Sequence, residues 1–153
     1  MVSVAAVAVG GANMTTILKQ FERHLEQGRF FAKDDLVIVA VSTGVDSMAL
    51  LDLLQRLPAG RRPRLLVAHV NHELRDQSTV EEAYLTDYCR QAGLSLRVAH
   101  WPKEDHPEHG VEEAARHFRY AFFKRLLTEY HAAAVVTAHH ANDLAETMLM
   151  KMT

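Results

Sequence analysis

Four short runs of β-branched and other apolar residues, each followed by a segment of helical periodicity, constrain this chain more than any other feature. Leu36 to Val41, Leu65 to Val70, Leu94 to Ala99 and Ala133 to Ala138 read as strands. Helical patterns follow over Ser47 to Leu57, Thr79 to Gln91 and Val111 to Glu129, and again from Asn142 onward. Strands this continuously apolar must be dry on both faces, so they belong in a parallel sheet covered by helices on both sides. The expected fold is therefore α/β: an open, doubly wound parallel sheet. Right-handed crossovers restrict the strand order, and a ligand is expected at the carboxyl ends of the strands where that order reverses.

Outside this alternation, Thr15 and Thr16 can cap a first helix through Ile17, Leu18, Phe21 and Leu25, with Gly28 ending it. Residues 1–13 read as a flexible extension without a basic leader, and Met14 as a start for the domain spanning 14–153. The last helical pattern meets no Gly, Asn or Pro to stop it, so the domain is expected to be incomplete at its C-terminal end. No apolar run reaches the length of a membrane span.

With 153 residues, 48% of them hydrophobic, the chain closes one core rather than two. A formal net charge of -2 argues against a protein that grips nucleic acid over its whole surface. The one cysteine, Cys89, excludes a disulfide framework and any Cys-x-x-Cys metal or redox motif; it reads as a buried thiol in a reducing cytoplasm.

Between the first strand and its helix lies Ser42-Thr43-Gly44-Val45-Asp46-Ser47. A helix starting there offers unpartnered N–H groups and a partial positive charge, which attract an anion. The turn lacks the lysine of a Walker loop and the spacing of a dinucleotide fingerprint. Asp46 would repel a phosphate unless Mg²⁺ bridged the two; alternatively Asp46 caps the helix and the turn is a plain connector.

Polar residues also gather at the other strand ends. His69, Asn71, His72, Arg75 and Ser78 follow the second strand, where His and Asn could meet an adenine or ribose and Arg75 a phosphate. Arg116 and Arg119 lie three apart on the long helix, with Phe118, Phe122 and Leu126 as its core stripe. After the fourth strand come His139 and His140, then Asp143 and Glu146, which a helix from Asn142 would place on one face. Zinc is disfavoured there, because adjacent strand histidines point oppositely and H-E-x-x-H is missing.

The turn S-T-G-V-D-S resembles the S-G-G-x-D-S loop of the PP-loop, or N-type ATP pyrophosphatase, superfamily, with Thr43 in a position usually held by Gly. Threonine fits there if its φ is negative and its N–H is still presented. H-V-N-H-x-L-R from His69 to Arg75 with Ser78, E-x-A-A-R-x-x-R-Y-x-F-F from Glu112 to Phe123, and A-H-H-x-x-D-x-x-E-T from Ala138 to Thr147 resemble the lysidine synthetase family within it. The resemblance implies a strand order of 3-2-1-4 and ATP as substrate with Mg²⁺. It further implies ligation of lysine to the wobble cytidine of tRNA(Ile) through an adenylated intermediate.

By the same resemblance Ser42, Thr43, Gly44, Val45, Asp46, Ser47, His69 and Asn71 bind ATP, and Asp46 also serves Mg²⁺ and catalysis. Arg116, Asp143 and Glu146 are implied as catalytic, the last two as lysine-binding. Arg75, Arg119 and His139 are implied as RNA or phosphate contacts. ATP, lysine, tRNA(Ile) and a second copy of the chain are the partners expected, without a membrane. The alternatives are another PP-loop enzyme, of the tRNA thiolation or amidotransferase type, and a nucleotide-binding module without turnover.

Overall fold

The computed structural model describes residues 2–8, 23, 33–74, 76–141 and 144–151. Its elements are β1 (Val2–Ala8), β2 (Leu36–Ala40), α1 (Val45–Gln55), β3 (Arg64–Asn71), α2 (Asp76–Ala92), β4 (Ser95–His100), a 3₁₀ turn (Lys103–Asp105), α3 (Val111–Tyr130), β5 (Ala134–Ala141) and β6 (Leu144–Lys151). They form one sheet in the order β1-β6-β5-β2-β3-β4. The four strands expected from the sequence are all parallel, and from the β4 edge they run in the expected 3-2-1-4 order. The chain winds outward from β2 to β3 and β4, then crosses back to place β5 on the other side of β2. The β2/β5 seam is therefore the reversal point.

Alternation along β2 explains why both faces had to be apolar. Val37, Val39 and Val41 belong to one core with Leu51, Leu54 and Leu57 of α1 and its exit, and with Leu85 and Cys89 of α2. Ile38 belongs to the other, with Phe122, Phe123, Leu126 and Leu127 of α3 and Trp101 beyond β4. Each fully buried aliphatic chain contributes about 1.5–3 kcal/mol, so the centre of the sheet is the most strongly held part. Cys89 is buried as expected, and that burial pushes its thiol up to about 11, which removes it from nucleophilic chemistry.

Both ends of the chain depart from the sequence reading. The helix expected from Asn142 is instead a strand, β6, paired antiparallel to β5. Leu, Ala, Glu, Met and Lys favour helix locally, but a segment with a ladder on each side satisfies its backbone in the sheet, and that long-range pairing wins. The second ladder comes from β1, within the stretch expected to be a flexible extension; Val2 lies opposite Met150 and Ala8 opposite Leu144. The helix expected over 15–28 lies outside the described residues.

Candidate functional site

A cavity of about 280 Å³ opens at the carboxyl ends of β2, β3 and β5, at the reversal point. Ser42 and Ser47 bound it on the α1 side, His69 and His72 on the β3 side, and Thr137 and Ala138 on the β5 side. Glu81 of α2 and Arg119, Tyr120 and Phe123 of α3 complete the wall. Among the sequence candidates, Ser42, Ser47, His69 and Arg119 are thus brought together.

The turn before α1 is closed by its own serines. Ser47, which is buried, donates through Oγ to the Gly44 carbonyl at 3.2 Å and accepts from the Ser42 N–H at 3.1 Å. With its proton so committed, Ser42 is the donor across the 3.2 Å hydroxyl pair, and Ser42 Oγ accepts from Gly44 N–H at 3.4 Å. The helical ladder begins only with Met48 N–H donating to Gly44 O at 3.0 Å. The N–H groups of Val45, Asp46 and Ser47 precede that ladder and have no acceptor within the helix. Gly44 has φ -68, and a Cβ there would meet only Ser42 Oγ at 3.4 Å, an ordinary contact. Among the described residues nothing demands glycine at that point, and its lack of a side chain leaves the backbone open to close approach by a ligand.

Arg119 faces this turn from the opposite wall. It is half-buried, and burial, with Arg116 as a lesser cause against Tyr120, lowers its pKa. No carboxylate pairs with it among the described residues. A half-buried cation without a carboxylate partner among the described residues, in one cavity with the N-terminal turn of a helix, suits an anion.

Comparison with known proteins agrees with that electrostatics. The profile of the PP-loop domain family matches residues 13–153. The chain belongs to the PP-loop family. It is 53% identical, over 90% of its length, to the tRNA(Ile)-lysidine synthase of Lactiplantibacillus plantarum, and 44% identical over 86% to that of Enterococcus faecalis. It spans only 31% and 28% of those two proteins. The U34-tRNA thiolase NcsA of Methanococcus maripaludis, solved with its [4Fe-4S] cluster, shares the fold at a TM-score of 0.57 and 16% identity, covering 78% of this chain and 44% of that one.

In this PP-loop, Thr43 does not meet the condition of a negative φ under which threonine fits there; it adopts φ 66, in the left-handed region. That is where a glycine pays nothing and a β-branched residue is strained, so the hydrogen-bonded serines on either side hold Thr43 in place against its own preference. Asp46 lies in the first turn of α1, partly exposed. Among the described residues no group of three or more His, Cys, Asp or Glu side chains could hold a metal ion. A single carboxylate plus phosphate oxygens is the way Mg²⁺ is ordinarily held, and Asp46 fits that role.

The β3 end has three different environments. His69 is buried with Nδ1 2.7 Å from the Val41 carbonyl, which can only accept, so Nδ1 carries the proton. Asn71 spends its amide on the chain itself. Its Nδ2 donates to Glu82 Oε1 at 3.1 Å and Ser78 O at 3.4 Å, and its Oδ1 accepts from Glu73 N–H at 2.8 Å. Those bonds tie the strand end to α2 beside a side cavity of about 90 Å³. His100 reinforces the tie, with Nε2 2.9 Å from Glu82 and Nδ1 3.4 Å from Glu73. His72 borders both cavities, its Nδ1 buried without a hydrogen-bond partner among the described residues and its ring edge-on to Trp101 at 5.9 Å. Burial first, then the charges of Arg119, His69 and His106, bring its pKa down to about 4, so at neutral pH it is uncharged.

Other candidates fall elsewhere. Arg116 is exposed, its guanidinium 5.3 Å from the centre of the Tyr120 ring, and does not line the cavity. Arg75 and Asp143 lie outside the described residues. Glu146, expected on a helix, lies in strand β6, where it stands opposite His139 in the β5/β6 register. Sequence reasoning missed Tyr120, Phe123 and Thr137 as cavity walls. Tyr120 and Phe123 stood in the string from Glu112 to Phe123, and Thr137 was one hydroxyl in the apolar run of β5, but none of the three was assigned to a site.

Proposed function

We propose that this chain is the ATP-activating part of a tRNA(Ile)-lysidine synthase. The observation that carries the reading is the placing of the serine-closed turn and of Arg119, which has no carboxylate partner among the described residues, in one cavity of a chain 53% identical to such an enzyme. The turn and the N–H groups of Val45 to Ser47 hold the departing pyrophosphate of ATP, and Arg119 balances charge at the transferring phosphoryl group. Asp46 would hold Mg²⁺, which when bound would offset the charge on the phosphate oxygens.

In the first step the C2 carbonyl oxygen of the wobble cytidine bonds to the α-phosphorus as the bond to pyrophosphate breaks. In the second, the ε-amine of lysine bonds to C2, AMP leaves with the oxygen, and the amine gives up a proton. Asp143 and Glu146 are the proposed holders of lysine, and a cytoplasmic location follows from the tRNA substrate. Positioning and electrostatics suffice, with no covalent link to the enzyme. A thiolase reading is disfavoured because the only cysteine of this chain, Cys89, is buried in the α2 core.

The test is AMP and pyrophosphate release with ATP, Mg²⁺, lysine and a tRNA(Ile) transcript bearing the wobble cytidine. Release should require both lysine and the RNA, and Asp46→Ala should reduce it at least 100-fold while leaving the thermal transition in place. Release that ignores lysine, or an Asp46→Ala variant with normal turnover, would refute the assignment.

A further inference from the structure

Helix α3 carries four cations, Arg116, Arg119, Lys124 and Arg125, in a stretch from Ala114 to Thr128 that contains no carboxylate. None of the four has an ion-pair partner among the described residues, whereas Arg56 and Arg90 elsewhere pair with Asp52 and Asp87. Only Arg119 enters the cavity. Arg116, Tyr120 and Lys124 stand at i, i+4 and i+8, a column along one side of the helix with about 6 Å between steps. Arg116 and Lys124 are exposed, and Tyr120 between them is a wall of the cavity. The Arg116 guanidinium carbon lies 5.3 Å from the centre of the Tyr120 ring, a cation–π contact that orders the side chain.

We infer that the column Arg116, Tyr120, Lys124 is an RNA-binding track that leads the acceptor strand into the cavity, the two cations meeting successive phosphates and the Tyr120 ring meeting a base at the mouth. An ordered cation, an aromatic ring and a second cation are the combination by which single-stranded nucleic acid is held without sequence readout. The overall charge of -2 makes the concentration of unpaired cations on this one helix a local device, not a reflection of a basic protein. The inference rests on the reading that the acceptor is an RNA, and it adds which surface delivers it.

The test is binding of a synthetic anticodon stem-loop RNA, with cytidine as its first anticodon base, followed by fluorescence anisotropy across a salt series. Lys124→Ala and Arg116→Ala should each weaken binding about fivefold at 0.1 M salt and reduce the slope of log affinity against log salt by about 0.7. Lys124→Glu should weaken it further, Arg56→Ala should stay within twofold of wild type, and Lys124→Ala should bind Mg-ATP normally. Wild-type affinity and slope in both Lys124→Ala and Arg116→Ala, or no RNA binding by the wild type at any salt, overturns the track. If the first two variants lose RNA as expected but AMP release does not depend on lysine, the track stands and the lysidine synthase reading falls. If release depends on lysine while the variants bind RNA normally, the track falls and that reading stands.

Discussion

Thr43 is a β-branched residue held at φ 66 by the hydrogen bonds around Ser42 and Ser47. A left-handed conformation costs an L-residue about 1–2 kcal/mol, and glycine gives back part of that gain through its looser unfolded chain. Thr43→Gly should therefore stabilise the protein by about 1 kcal/mol, measured as a raised urea midpoint with an unchanged slope. His72 makes a second claim at this scale. Its folded pKa of about 4 lies below the ordinary 6.5, so between those values the unfolded chain binds more protons. The resulting stability is fully present above pH 6.5 and is lost as pH falls toward 4. With the partial exposure of the ring taken into account, the loss is on the order of 2 kcal/mol. In His72→Gln the difference in urea midpoint between pH 7 and pH 5 should shrink. The sequence marked Arg116 and Arg119 of α3 but not which of the two enters the cavity. Residues three apart differ by about 60° around a helix, and which points inward depends on the roll of the helix. Phe122, Phe123 and Leu126 set that roll by packing on Ile38 and Val135, a fact of the assembled core rather than of the local pattern.

At the scale of elements, the parallel strands and the helices between them were legible because each carries a period that matches its burial on both faces. The serine-rich turn was legible because helix termini have fixed needs. What was not legible is β6, where local preference and long-range pairing disagree. The same limit applies to the β3/α2 junction, where Asn71 looked like a ligand residue and spends its amide on Glu73, Ser78 and Glu82. Removing that amide leaves part-buried polar groups short of a partner, at a cost toward the lower end of about 1–3 kcal/mol. Asn71→Ala should cost about 1 kcal/mol by chemical denaturation and weaken ATP binding through misplacement of the His69 to His72 segment. Asn71→Asp, which keeps the acceptor for Glu73 N–H but repels Glu82, should fall no better than Asn71→Ala at neutral pH.

For the molecule as a whole, the cavity is the place where chain-distant parts meet. Val37 pairs with Leu65 on one side of β2 and with Ala134, 97 positions away, on the other. Pairings of such separation carry the larger closure entropy and tend to be established late in folding. Chains are made from the N-terminus, so β2, α1 and β3 leave the ribosome well before α3 and β5 do. The serine-closed turn is thus complete, in the local sense, while the wall that carries Arg119 and Thr137 is still being synthesised. A nascent chain at that stage offers phosphate a helix terminus but no cage. On the proposed function, ATP would gain a firm hold only when the last crossover has closed, so the nucleotide would act as a latch on the finished fold and not as a template for making it.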